Sequence, residues 1–239
     1  MQAKVFNGLG QASILLICEH ATNFIPAKFN GLGLSQQQLN SHIAWDPGAI
    51  EMAEAMALLL DAPLISAPVS RLLYDCNRPP ESSSAIPLAS ENQPIPGNAH
   101  LSQVAIQQRV ASFYRPFETA VAQQVSAMDR PLIITLHSFT PIFLGQQRQV
   151  EIGVLHDEDQ RFSNAFLQQG LTQPSFNMQR NQPYAAIDGV THTLKRHAIP
   201  RGLANVMLEI RNDLIASNHQ QQQMAAYLAK QIALAQERL

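Results

Sequence analysis

Apolar positions in this chain fall into two patterns. One is a set of short continuous runs: Ser13 to Cys18, Pro63 to Ala67, Pro131 to Leu136, Glu151 to His156 and Leu203 to Ile210. Runs of that length, bounded by polar residues, read as strands buried on both faces. Arg71 to Asp75 reads as a shorter strand, and residues 175–178 as a further candidate. The other pattern repeats every three to four residues and reads as helix. Ser35 caps a short helix over Gln36 to Leu39. Asp46 is placed as the N-cap, with Pro47 at the first helical position, of a helix running to Leu60 with Met52, Ala53, Met56, Leu59 and Leu60 on its apolar face. A long helical pattern runs from Ser102 to Met128 with a break expected near Pro116, and others cover Gln160 to Gln169 and Asn218 to the C-terminus. Gly189 to His197 reads as helix or as a loop with helical turns.

Between these segments, residues 1–12 read as an arm before the first strand. Residues 79–100, rich in Pro, Ser and Asn, read as a loop covering the strand ends. Strands alternating with helices predict an α/β domain. There is no internal repeat and no interdomain linker, so residues 1–239 are read as one domain.

Composition narrows the function. Hydrophobic residues make up 46% of the chain and charged residues 14%, so a sizeable core is expected beneath a surface whose polarity comes largely from Gln and Asn. A net charge of -2 gives no electrostatic basis for binding nucleic acid or an anionic membrane. No run is long enough to span a bilayer, and the N-terminus lacks the basic start and apolar core of a signal peptide. Cys18 and Cys76 are therefore expected as free thiols in a cytoplasmic protein.

The chemistry-bearing residues collect where the strands stop. Three apolar runs end in His20, His137 and Glu209. In open α/β sheets ligands bind just beyond the carboxyl ends of the strands. Two imidazoles and a carboxylate suit zinc, with a position left for water. His20, Asp46 and His137 are the candidate ligands and Glu209 the candidate base. A lone histidine is more often a core residue bonded to backbone, but two at matching strand ends favour ligands. Asp46 could serve only as a cap, and Glu19 is an alternative ligand. Neighbours in an extended segment point to opposite sides, so Glu19 and His20 reach one ion only if the chain turns there. Arg71, Asn77, Arg78 and Arg211 are candidate substrate-binding residues; guanidinium suits bidentate capture of a carboxylate. Arg211 shares a strand face with Glu209 and could equally form an ion pair with it. His156 reads as structural, while His192 and His197 are weaker candidates for the pocket wall. Cys18 as a nucleophile, with a histidine as base, is a rival reading.

Taken together, Cys18-Glu19-His20-Ala21, Ala44 to Ala49, Ser70 to Pro79, Leu136-His137-Ser138-Phe139 and Leu208 to Asp213 resemble the N-formylglutamate amidohydrolase family. The resemblance implies a phosphorylase/hydrolase-like fold: a three-layer α/β/α domain with a mixed, mostly parallel central sheet, shared with zinc carboxypeptidases and aspartoacylases. It also implies a zinc-dependent amidohydrolase acting on a small N-acyl amino acid, with other divalent metals as alternatives. Asn77-Arg78 is similar to the pair that holds a substrate carboxylate in those enzymes, and Val206 to Glu209 to the strand that carries their catalytic glutamate. Carboxypeptidase-type sites use a His-x-x-Glu pair after the first strand. Here that position is Asn23, so Asp46 is assigned the carboxylate's place. Amidases of other specificity, or a binding protein without catalysis, are the alternatives.

Overall fold

A computed structural model describes residues 1–172 and 174–239. Among these, seven strands form one sheet: β1 (Lys4–Phe6), β2 (Ile14–Cys18), β3 (Leu64–Ser66), β4 (Leu132–Phe139), β5 (Ile152–Leu155), β6 (Met178–Arg180) and β7 (Asn205–Arg211), in the order β1-β3-β2-β4-β7-β5-β6. The pairs β2–β3, β2–β4, β4–β7 and β5–β6 are parallel; β1–β3 and β7–β5 are antiparallel. The sheet is thus mixed and mostly parallel, with helices on both faces, as expected.

Strand alternation divides the core in two. From β2, Ile14, Leu16 and Cys18 face one side, where they join Ile134, Leu136, Val206 and Leu208. That side is covered by α2 (Ala49–Leu60), α5 (Arg161–Thr172) and α7 (Asn218–Gln236), through Met52, Met56, Phe162, Phe166, Leu228 and Ile232. Leu15 and Ile17 face the other side with Ile133 and Met207. There they meet Phe113, Phe117 and Val121 of the long helical segment and Leu194 of α6 (His192–His197). The long segment consists of α3 (Gln103–Arg109), a wider π turn over Val110–Tyr114, and α4 (Arg115–Ala127). The widening falls just before Pro116, where the ring removes a backbone donor and crowds the preceding turn.

The short helix α1 (Gln36–Leu39) carries the expected cap, with Ser35 Oγ accepting from Gln38 N–H and the Gln38 side chain returning to the Ser35 backbone. Three expectations are corrected. Residues 1–12 are more than an arm, because Lys4–Phe6 forms an antiparallel edge strand against β3. Arg71 to Asp75 is not a strand: Leu73 and Tyr74 N–H both return to the Ser70 carbonyl, and Leu72 N–H bonds the Ser70 hydroxyl. Leu72, Leu73 and Tyr74 are buried all the same, so apolar content alone reads as a strand. Asp46 is not an N-cap: Gly48 holds that place and α2 starts at Ala49.

Candidate metal and substrate site

The segment Asp46 to Ala49 turns sharply. Ala49 N–H bonds the Asp46 carbonyl at 3.2 Å, Pro47 takes the second position, and Gly48 sits third at φ 80°, ψ -13°. This is the pattern of a type II turn, and the third position needs a glycine. A side chain at Gly48 would collide with the Ile215 carbonyl oxygen. Because the turn rather than the carboxylate starts α2, the Asp46 side chain is free to point inward. Its backbone N–H bonds the His20 carbonyl at 2.9 Å, which ties the turn to the end of β2.

At that strand end the chain turns through Glu19 and His20, so both side chains reach the same region. His20 Nδ1, His137 Nδ1 and Asp46 Oδ2 converge: His137 to Asp46 is 2.9 Å, His137 to His20 3.1 Å, and His20 to Asp46 3.3 Å. All three residues are buried. The Ser138 N–H, next along β4, also donates to Asp46 Oδ2 at 3.2 Å.

Each imidazole is backed by a carboxylate. His20 Nε2 lies 2.8 Å from Asp75 Oδ1. His137 Nε2 lies 3.1 Å from Glu19 Oε2, near enough for an ion pair but off line for a hydrogen bond. Glu209 stands next to His137 in the register of β7 against β4, and its Oε2 is buried without a partner.

Four carboxylates, of Glu19, Asp46, Asp75 and Glu209, are therefore buried together. Their field is visible in the ionisation of the group. Burial opposes charge on His137, yet Glu19 and Asp46 outweigh it and raise its pKa well above the usual value. Burial likewise opposes charge on His20, and Asp75 and Asp46 outweigh it against the opposing Arg71. Burial would raise the Asp46 carboxyl, but the two histidines hold it far below the ordinary carboxylate range. Glu209 goes the other way, pushed up to about 7 chiefly by burial. The cluster demands positive charge that Arg71 only partly supplies.

These atoms fit a divalent metal. Bonds of about 2.0–2.2 Å in a tetrahedral array keep donor atoms about 3.3–3.5 Å apart, within a few tenths of an ångström of the separations here. Among the described residues, His20, Asp46 and His137 are the group whose donor atoms come together in this way. His20, with its outer nitrogen bonded to Asp75, follows the arrangement that fixes a metal-binding histidine, and His137 has the Glu19 carboxylate beside its outer nitrogen.

The cluster forms the floor of a cavity of about 300 Å³. Arg71, Asn77, Arg78, Tyr184 and Asp188 line its walls. Arg71 approaches Asp46 Oδ1 at 3.4 Å and Asp75 Oδ2 at 4.0 Å. Arg78 is steadied by the carbonyls of Gly189, at 2.7 Å, and Asn77, at 3.0 Å. The Asn77 side chain is spent on structure, donating to the Val190 carbonyl and accepting from Thr193 N–H. Arg211 lies outside the cavity lining, bonded to Asp213 and to the Arg148 carbonyl rather than to Glu209. His156 bonds the Asp157 carbonyl, and His192 bonds Tyr114; neither lines the cavity, nor does His197. Cys18 is fully buried on the opposite face of the sheet, and burial raises its thiol far above the usual range, which removes it as a nucleophile. A larger groove of about 570 Å³, over Tyr74 and Leu88, contains none of the predicted site residues.

Sequence reasoning missed Asp75, the partner of His20, and Tyr184 on the cavity wall. Asp75 had a signal: it stands beside Asn77-Arg78 in the segment that carries the resemblance. Tyr184 had none.

The family profile of N-formylglutamate amidohydrolase matches residues 12–216. The chain belongs to the N-formylglutamate amidohydrolase family. All the site residues named above fall within the matched stretch. A gene product of Agrobacterium tumefaciens of known crystal structure is 44% identical, with a TM-score of 0.96 over 99% of this chain and 95% of that one. The N-formylglutamate amidohydrolase of Ralstonia eutropha JMP134 superposes with a TM-score of 0.69 over 98% of this chain and 95% of its own, at 16% identity. That second likeness speaks to the fold alone. No curated protein matches the chain in sequence. No helix among the described residues is long and apolar enough to cross a membrane.

Proposed function

We propose that this member of the family hydrolyses the amide of an N-formyl, or related N-acyl, acidic amino acid such as N-formylglutamate, releasing formate and glutamate. The observation that carries the reading is the convergence of His20 Nδ1, His137 Nδ1 and Asp46 Oδ2 beside an unpartnered Glu209 oxygen. Zinc, or another divalent ion, held by those three atoms would supply polarisation of the scissile carbonyl and a water of lowered pKa, about 7 in well-known zinc sites.

Glu209 does the proton work. Glu209 lines the cavity and keeps one oxygen without a partner, and a carboxylate whose pKa lies near 7 can take a proton from the attacking water and return it to the leaving nitrogen. The bond that breaks joins the acyl carbon to the amino-acid nitrogen; water supplies the second oxygen of formate, and the nitrogen leaves as the amine of glutamate. Arg78, free of any carboxylate among the described residues, holds a carboxylate of the substrate. Arg71, at the edge of the cluster, orients the reacting end. A polar cavity of about 300 Å³ suits a substrate the size of an acylated amino acid.

One feature favours a second reading. Asp188 lines the same cavity and adds negative charge to its wall, which suits an N-acyl amino acid of lower negative charge. Formate or carboxylate release from a panel of N-formyl and N-acyl amino acids decides between the two. Cytoplasmic residence is part of the proposal and is supported by Cys18 and Cys76, both buried as free thiols. The test of the main reading is metal content and turnover measured together. Protein purified without chelator should carry a divalent ion and release formate from N-formylglutamate. A metal-free protein that does not respond to added zinc would refute it.

A further inference from the structure

His20 and His137 share an unusual constraint: each presents Nδ1 to the cluster, and each has Nε2 turned toward a buried carboxylate. The carboxylates come from different places. Glu19 is the immediate neighbour of His20 but serves His137, because the chain turns between them. Asp75 lies 55 residues beyond His20.

Asp75 is itself held in place. Its Oδ1 accepts from the Asn77 N–H at 2.9 Å as well as from His20. An aspartate bonding the backbone two residues on closes an Asx turn. That turn delivers Asn77 and Arg78 to the cavity. One oxygen atom therefore fixes both the ring of His20 and the entry of the substrate-binding segment.

We propose that Asp75, through its bond to His20 Nε2, and Glu19, through its charge 3.1 Å from His137 Nε2, are positioning residues that keep the ring proton on Nε2 and thereby set the affinity of the site for its metal. The proposal rests on the metal-site reading above. It assigns Glu19 a place behind His137 rather than on the ion. A neutral histidine has one donor nitrogen and one acceptor nitrogen, and a carboxylate on Nε2 leaves the Nδ1 lone pair for the metal. Partners of this kind typically account for 10–100-fold in metal affinity.

The amide variants Asp75→Asn and Glu19→Gln test this with little change in shape. Asparagine at 75 keeps an oxygen to accept from Asn77 N–H and from His20 Nε2–H, so the turn survives and what is lost is the negative charge that holds the proton on Nε2 and raises the basicity of Nδ1. Zinc affinity is measured by competition with a chromophoric chelator, alongside thermal melting of the zinc-free proteins and the visible spectrum of the cobalt-loaded ones. Both variants should melt as folded proteins, bind zinc about 10–100-fold more weakly than wild type, and show altered cobalt bands. Glu209→Gln, in the same cavity but behind neither imidazole, loses only a through-space attraction and should weaken zinc binding less than either of these variants. If both variants are folded and bind zinc within twofold of wild type, the positioning role is wrong and the metal site stands. If wild type itself binds no zinc, the metal-site reading fails first. An Asp75→Asn protein too unstable to measure leaves Glu19→Gln to decide by the same criterion.

Discussion

Glu209 and His137 are direct neighbours in register on parallel strands, so the candidate base and a candidate metal ligand leave the sheet from the same level and on the same face. The pairing follows from the packing of the core. Ile133 and Met207, below them on that face, are fully buried, so a shift of either strand by one residue would expose core and withdraw both functional groups together.

The pairing makes the role of Glu209 separable from that of the ion. Glu209→Gln removes the proton acceptor while keeping the shape and leaving the three converging donor atoms untouched. The variant should fold, retain its metal, and lose about a hundred- to ten-thousandfold in kcat. Elemental analysis and steady-state kinetics on one preparation check this; undiminished turnover contradicts it.

The pH profile follows from the same group. Burial pushes the Glu209 carboxyl up to about 7, so a protonated fraction persists near neutrality. A protonated carboxyl cannot act as a base, so kcat/KM should rise with pH through this region. A bound cation favours the ionised form and moves the rising limb to lower pH. An activity that falls as pH is raised from mildly acid to neutral would contradict the assignment.

Arg78 should show itself in specificity. Truncation by Arg78→Ala removes a charge-assisted contact of about 1.5–3 kcal/mol, or roughly 10–100-fold in kcat/KM for a carboxylate-bearing substrate. The matching amide substrate, which lacks that charge, should lose far less. Equal losses on both substrates would mean that Arg78 supports the loop rather than the ligand.

Gly48 offers a structural check on Asp46. Its φ of 80° and the nearby Ile215 carbonyl leave no room for a side chain. Gly48→Ala should destabilise the protein by about 1–3 kcal/mol, lower its melting temperature, and weaken metal binding by displacing the turn that presents Asp46. A variant with wild-type melting and wild-type metal content would show that the turn tolerates the change.

Much of this arrangement was legible in the chain. Continuous apolar runs marked β2, β4 and β7 because strands buried on both faces have no polar side to dilute the signal; His20 lies two residues past β2, while His137 and Glu209 stand inside β4 and β7, two residues before their last residues. What escaped depends on contacts between distant residues. β1 is three residues long and mostly exposed, so it carries no hydrophobic signature. Asp46 resembles a helix cap in Asp-Pro-Gly, but the positive φ of Gly48 moves the cap two places on and releases the carboxylate. Ser70 bends an apolar segment back on itself through its hydroxyl and carbonyl, an effect that composition does not register. Asp75 was overlooked because its partner is remote in sequence, while Glu19 was seen but its destination depended on the turn after β2.

The most direct test of the central claim is anomalous diffraction at the zinc absorption edge from crystals of the zinc-loaded protein. The account predicts a single strong peak bonded to His20 Nδ1, His137 Nδ1 and Asp46 Oδ2, with Glu209 alongside it and Glu19 outside its coordination. No peak at that position, or an ion held by a different set of side chains, would contradict it.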